Sequence, residues 1–380
     1  MKVAVCVHGR FHSFELAQGL HRRGMLESLH TTYPSFAVKR IMGGDPPLRT
    51  APLLEVWRRL YPKLRIGPQP DFLIARAFGH FAERSLKGSK ADLLVGWSSA
   101  TLEAIQPAQD AGMKVIIERG STHISNQTDI LKEEYKRNNI PFVATDPRII
   151  ERELREYELA DAISVPSRYA ALSFMERGIE EKKLIVNPLG VDPDTFTFET
   201  IKRSDQIPRI LFVGTIGFRK GIPLLLRAFA RIHESAKLHL VGPIEADFTP
   251  CLEKLPLDNV VFRGPASGEE LLKNYADADV FCLPSLEEGF GMVVLEAMAS
   301  GLPVVISDVV GAADVVNAGK HGLIFPSCNE AALAQALEAL VVDPMVRSDM
   351  GLAAREHILA SYRWENYVER AVAAYEKVMA

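Results

Sequence analysis

Cysteine is scarce in this chain. The four among its 380 residues, Cys6, Cys251, Cys282 and Cys328, lie far apart, and no two form a C-x-x-C pair. The usual zinc and redox spacings are therefore excluded. Cys6 and Cys282 fall in apolar, strand-like runs, where buried reduced thiols are expected. Long apolar stretches are missing as well. None approaches eighteen residues, so no membrane span is predicted. Residues 1–7 read as a strand, interrupted too soon for a signal peptide, and a reducing cytoplasm is the expected compartment. A large excess of one charge is also lacking. The formal net charge of -4 gives no general case for nucleic-acid binding. Finally, the loop after the first strand, Val7-His8-Gly9-Arg10-Phe11, has no G-x-G-x-x-G, which argues against a hydride-transferring dehydrogenase.

What is present is a repeated strand–helix rhythm over a length that suits two or three domains. Continuous apolar runs at 2–7, 91–97, 114–118, 162–166 and 183–186 predict strands buried on both faces. Helical spacing separates them, as at 14–23, where Ser13 is the expected N-cap. Residues 193–206 are polar and without periodicity, and read as a linker. The rhythm then restarts with strands at 209–213, 237–241, 260–262, 280–283, 303–306 and 322–326. A last helix is predicted over 362–379. The fold class is α/β, with two Rossmann-like, doubly wound domains.

One stretch concentrates the chemistry. Residues 288–301 place Glu288-Gly289-Phe290-Gly291 between a strand and a helix that begins near Met292 and ends before Gly301. The amides of Gly291, Met292 and Val293 would be free at that helix start and would favour an anion, with flanking glycines letting a ligand approach. Glu288 is too close to that anion to bind it and suits a hydroxyl or a developing cation beside it. Glu296, one turn inside the helix, can reach a second polyol. An anion between two hydroxyl-bearing groups describes a nucleotide diphospho-sugar. A second phosphate-type layout is the turn Gly214-Thr215-Ile216-Gly217-Phe218-Arg219-Lys220-Gly221, which joins strand 209–213 to an apolar helix and carries two adjacent cations.

The string Glu-Gly-Phe-Gly, the seven residues between Glu288 and Glu296, and Leu-Glu-Ala-Met-Ala-Ser-Gly-Leu-Pro-Val-Val resemble the signature of retaining glycosyltransferases of family 4. That resemblance implies the GT-B fold, two Rossmann-like domains facing a central cleft. The implied division is an acceptor-binding domain over 1–192, a nucleotide-sugar domain over 207–361, and a helix over 362–380 that crosses back to the first domain. It implies a hexosyl-type transfer from a nucleotide diphospho-sugar to a hydroxyl acceptor, with retention, in polysaccharide, glycolipid or other glycoconjugate synthesis. The implied catalytic set is His123, Glu288, Lys220 and Arg219. His123 would face the donor sugar, and Lys220 with Arg219 the diphosphate. Donor contacts would come from Gly214, Thr215, Gly264, Gly289, Phe290, Gly291, Met292, Val293 and Glu296, with the base held through backbone near Gly264. Most relatives carry an arginine directly after the first glycine of the 214–221 turn; here Thr215 stands there and Arg219 is the nearest substitute. No metal or other cofactor is expected, because fixed cations can neutralise the leaving group. A nucleotide-sugar 2-epimerase of the same fold and a non-catalytic sugar-binding module are the alternatives.

Other residues keep two readings. His8, Gly9 and His12 follow the first strand, on the acceptor side, and the histidines are either polar contacts at a cleft or loop residues without a role. Arg119 is either functional or a buried ion-pair partner of Glu118. Asp277-Ala278-Asp279 has the form of a metal-binding Asp-x-Asp but reads as a capping pair at a helix end. Residues 39–90 hold eleven Lys or Arg against four Asp or Glu, with Trp57, Leu60, Tyr61, Phe72, Ile74, Phe78 and Phe81 among them. Such a surface suits peripheral contact with anionic lipid on the inner membrane face, and a lipid-linked or saccharide acceptor. The competing reading is two helices packed on the sheet with solvated charged faces.

Overall fold

In the computed structural model, residues 1–64, 70–196 and 207–380 are described. Most of the expected linker, 197–206, lies outside the described residues.

Two wholly parallel sheets organise the chain. The first contains β1 (Val3–Val7), β2 (Leu26–Thr31), β3 (Leu48–Thr50), β4 (Leu93–Trp97), β5 (Lys114–Glu118), β6 (Ala162–Val165) and β7 (Leu184–Val186), in the order β3-β2-β1-β4-β5-β6-β7. The second contains β8 (Arg209–Val213), β9 (Lys237–Val241), β10 (Val260–Gly264), β11 (Val280–Leu283), β12 (Val304–Ser307) and β13 (Gly322–Phe325), in the order β10-β9-β8-β11-β12-β13. Helices cover both faces, so β1, β4 and β11 are buried along their whole length. In each sheet the order reverses between the first and fourth strands, and the crevice beyond the carboxyl ends at that point is where ligands bind in such sheets. In the first sheet these ends are followed by His8–His12 and Trp97–Ser99. In the second they are followed by the 214–221 turn and by residues 284–291.

Several elements depart from the sequence pattern. β2 carries Glu27, Ser28, His30 and Thr31 and shows no apolar run. Its polar side chains are paired instead: Ser28 Oγ lies 2.8 Å from His30 Nε2, His30 Nδ1 2.7 Å from Ser85 Oγ, and Thr31 Oγ1 donates to the Gly9 carbonyl at 2.9 Å. A helix over Pro344–Ser361 has no clear apolar face; it is started by Asp343, whose carboxylate accepts from the Met345 and Val346 amides at 2.9 and 3.1 Å. Ser13 lies inside the first helix, Ser13–Arg22, rather than capping it, and its hydroxyl donates to the Arg10 carbonyl.

The helix Trp364–Met379 packs on the first helix, across the chain from its own sheet. Gly19 makes this approach possible: a Cβ there would lie 2.5 Å from Val368 Cγ2. Tyr367 and Tyr375 are buried beneath it, and Tyr375 OH donates to Glu118 at 3.4 Å.

In region 39–90 the helices Pro52–Leu64 and Asp71–Ser85 divide their apolar residues. Ile74 and Phe78 are core, whereas Leu53, Val56, Trp57 and Leu60 form an exposed stripe at i, i+3, i+4, i+7. Arg58 and Arg59 both bind the buried carboxylate of Glu55.

Candidate active site

The two switch points face each other. The turn after β8 carries Lys220 past Gly214, where a Cβ would lie 3.7 Å from Lys220 Cε. Gly214 has φ +150 and leaves room for the lysine stem. Lys220 Nζ meets Glu288 Oε2, and Arg219 Nη1 lies 3.6 Å from the same oxygen and 3.5 Å from Glu287 Oε2. Both cations therefore face carboxylates from the loop after β11. Burial, with Asp247 nearby, also raises the Glu245 carboxyl, which Arg219 and Lys220 pull back down. Beside this cluster the helix Met292–Ala299 begins at Gly291, in left-handed conformation with φ +89. Its first turn leaves the Met292 and Val293 amides without acceptors inside the helix.

The glycines of this loop serve two purposes. Gly291 supplies the positive φ. Gly289 does not leave space for a ligand as the sequence suggested: a Cβ there would lie 2.3 Å from Ser121 Cα, so the first half of the chain fills the gap. Its carbonyl accepts from Ser167 Oγ at 2.7 Å. Phe290 is likewise core, 2% exposed, and presents no side chain to a ligand. Glu296 lies one turn along the helix, where Oε2 accepts from Tyr275 OH at 2.8 Å; burial raises its pKa. Thr215 is half-exposed at the turn. Gly264 ends β10 with φ +72 and open space beside it, its carbonyl accepting from the Gly242 amide at 2.9 Å.

Glu287 carries no signal in the sequence, yet it is fully buried where the halves meet. It accepts from Thr122 Oγ1 at 2.7 Å, from Ser121 Oγ at 3.0 Å and from Gln127 Nε2 at 3.0 Å. These bonds, with Arg219, hold its pKa below the usual glutamate value against the opposing effect of burial. Only partners 68 to 166 residues away in sequence reveal this role.

The cleft on the first half, about 690 Å³, is lined by His8, Phe11, His12 and Glu15 after β1, by Trp97 and Ser99 after β4, and by Arg119 to Ser121 after β5. Met292 and Trp364 border it from the second half and the last helix. His8 and His12 thus share one cavity wall. Burial, with Arg58 and Arg152 nearby, lowers the His8 pKa to about 4. Gly9 has φ +143, and a Cβ there would lie 3.3 Å from the Phe11 ring.

His123 is not among this cleft's lining residues. It caps the helix Ile124–Arg137, with Nδ1 accepting from the Ser125 amide at 3.2 Å, and it packs on Tyr157 and Phe174. Burial lowers its pKa to about 4, so the ring is neutral. Arg119 does not pair with Glu118. Neighbouring residues at a strand end point to opposite sides; Arg119 meets Glu153 at 2.8 Å, while Glu118 faces His12 Nε2 at 3.6 Å. Asp277 and Asp279 hold the start of β8, Asp277 through the Arg209 guanidinium and Asp279 through the Arg209 amide at 2.8 Å. Among the described residues no group of three His, Cys, Asp or Glu side chains is placed to hold a metal ion.

Comparison with known proteins finds a family model that matches part of the chain and solved structures that share its fold. Residues 194–357 fit the model of "Glycosyl transferases group 1". An uncharacterized glycosyltransferase of Methanocaldococcus jannaschii is 31% identical over 245 residues, 60% of this chain and 62% of that protein. A D-inositol 3-phosphate glycosyltransferase of Pseudarthrobacter chlorophenolicus is 34% identical over 224 residues, 53% of each chain. The chain thus spans little more than half the length of these relatives. Over essentially full length, the sucrose-phosphate synthase of Thermosynechococcus elongatus superposes with a TM-score of 0.73 at 20% identity, covering 100% of this chain and 99% of that one. Anabaena HepE, solved with UDP and glucose, gives 0.67 at 14% identity, covering 99% of both chains. The second half of this chain therefore matches the group 1 glycosyl transferases, and the chain as a whole has the GT-B fold.

Proposed function

We propose that this protein transfers a glycosyl group from a nucleotide diphospho-sugar to an acceptor hydroxyl, with retention of configuration. The observation that carries the reading is the pairing of Lys220 and Arg219 with Glu288 beside the start of the helix Met292–Ala299. A diphosphate arriving there takes over the two cations and the helix-start amides, and so releases Glu288 toward the sugar. The same groups then stabilise the charge that grows on the diphosphate as the glycosidic bond breaks. Fixed cations perform this task without a metal. The acceptor hydroxyl attacks from the face the diphosphate leaves, and a donor phosphate oxygen takes its proton. Glu288 accepts from a sugar hydroxyl, and the neutral His123 ring has Nε2 left for another. Glu296 Oε1 receives the ribose, with Tyr275 holding the other oxygen.

Polyol, saccharide and lipid-linked acceptors all suit this reading; the name of the inositol 3-phosphate relative supports the first. UDP bound to HepE, which shares the fold, makes uridine donors the first to test. Thermal-shift titration across nucleotide diphospho-sugars is expected to raise the midpoint with one base and sugar, because a ligand that binds only the folded state stabilises it. Transfer from that donor must then depend on acceptor. Release of free nucleotide without acceptor would favour the epimerase. Failure of every nucleotide diphospho-sugar to bind would end the proposal.

A further inference from the structure

The helix Ile124–Arg137 belongs to the first half, yet it reaches the turn that carries Arg219 and Lys220 by two routes. Near its start, Gln127 donates to Glu287 at 3.0 Å, and Glu287 faces Arg219 at 3.5 Å. About two turns further along, Tyr135 packs on Phe218, the residue before Arg219, with ring centroids 5.0 Å apart. Phe218 also meets Phe248 edge-on, again at 5.0 Å, and is fully buried. Each half thus supplies one wall of the socket that holds this ring.

The ring in turn fixes the backbone from which the cations project. Before it stands Gly217, where a Cβ would lie 1.8 Å from Glu245 Oε2. After it the Gly221 amide donates to the Phe218 carbonyl, and the Leu286 amide to the Arg219 carbonyl, both at 2.9 Å. Tyr135 is held firmly itself. It is 9% exposed, its hydroxyl donates to Asp247 Oδ2 at 2.7 Å, and its ring also packs on Phe142. Next to this contact the halves part around a cavity of about 350 Å³, with Glu134, Arg137 and Asn138 on one side and Gly221, Leu224 and Arg227 on the other. The ring pair is therefore a local bridge beside a gap. A contact that merely joined the halves could sit anywhere along their seam; this one bears on the residue that precedes both cations.

Resting on the transferase reading above, we propose that Tyr135 is a positioning residue for the donor diphosphate: through Phe218 it holds Arg219 and Lys220 in place, so that the second half grips a diphosphate fully only when the first half is seated on it. Parting the halves withdraws Tyr135 from the socket and weakens the hold on the phosphates, while the contacts to the nucleoside, which come from the second half, persist.

The test titrates a nucleoside diphosphate and its bare nucleoside, of the base found by thermal shift, against the full chain, the first by calorimetry and the second by ligand-observed NMR. Tyr135→Ala is expected to raise the Kd for the diphosphate about tenfold, as loss of one aromatic pair implies, and to leave the Kd for the nucleoside within about twofold. Tyr135→Phe keeps the ring and is expected to restore diphosphate binding. In steady-state kinetics, Tyr135→Ala should raise the donor KM and leave the acceptor KM unchanged. A merely structural role would weaken nucleoside and diphosphate alike. That result, or unchanged diphosphate affinity in Tyr135→Ala, overturns the inference. Should Tyr135→Ala fail to fold, Tyr135→Leu is read by the same comparison. If the wild type binds no nucleoside diphosphate, the transferase reading fails and takes this inference with it, before any variant is made.

Discussion

On the transferase reading, four side chains divide the work at the proposed donor site, and each gives a separable expectation. Lys220→Ala removes the cation that meets Glu288 and should cut turnover by at least about a hundredfold; Arg219→Ala, whose charge is shared between two carboxylates, should cost less. Steady-state kinetics on both variants checks this. Glu296→Gln should weaken nucleoside diphosphate itself by roughly ten- to a hundredfold, as loss of a charge-assisted hydrogen bond. Glu288→Gln should leave that affinity intact, or improve it by removing a carboxylate that competes for Lys220, while transfer slows. Calorimetric titration distinguishes them, and equal losses in both would mean the roles are misassigned. Titration of buried histidine sets a further expectation. Burial lowers both His8 and His30 to about 4. Between pH 6.5 and 4 the unfolded chain gains protons that these rings refuse, so stability falls as pH drops through that window. Each can contribute up to about 1.4 kcal/mol per pH unit. Urea midpoints against pH, with His30→Gln flattening the slope, would show it.

Elements differed in how legible they were. Strands buried on both faces announced themselves as apolar runs, and the loop and helix after β11 by their glycines and by Glu288 and Glu296. β2 did not, because its polar side chains are satisfied by Ser85 and the Gly9 carbonyl, partners that no local pattern contains. The helix Pro344–Ser361 lacks the apolar face that would have marked it. The two glycines have different reasons: Gly291 owes its identity to its own backbone, Gly289 to Ser121 lying against it, and only the first is visible in a local pattern. Gly289→Ala should therefore separate the loop after β11 from residues 119–123 and, on the transferase reading, lower kcat, with the helix content of each half kept by circular dichroism. The exposed stripe Leu53, Val56, Trp57, Leu60 belongs to the same scale. On the reading of region 39–90 as a membrane-facing surface, Trp57→Glu should abolish cosedimentation with vesicles containing anionic lipid. Unchanged binding would leave the stripe as an ordinary solvated face.

Across the whole molecule, the halves meet through polar groups near the site, through the Tyr135 ring on Phe218, 5.0 Å between centroids, and through the last helix. Glu287 collects two hydroxyls, an amide and a guanidinium, all in the narrow space between two switch points. Glu287→Ala should leave each sheet intact yet increase hydrogen exchange across residues 119–127, measured by mass spectrometry. A seam of this kind behaves unlike an apolar one. Every bond that Glu287 accepts can be exchanged for one from water at little net loss, so parting the halves costs far less than stripping an equal area of hydrocarbon. On the transferase reading, the seam acts as a clasp: firm enough to align two substrates, and loose enough for spent nucleotide to leave.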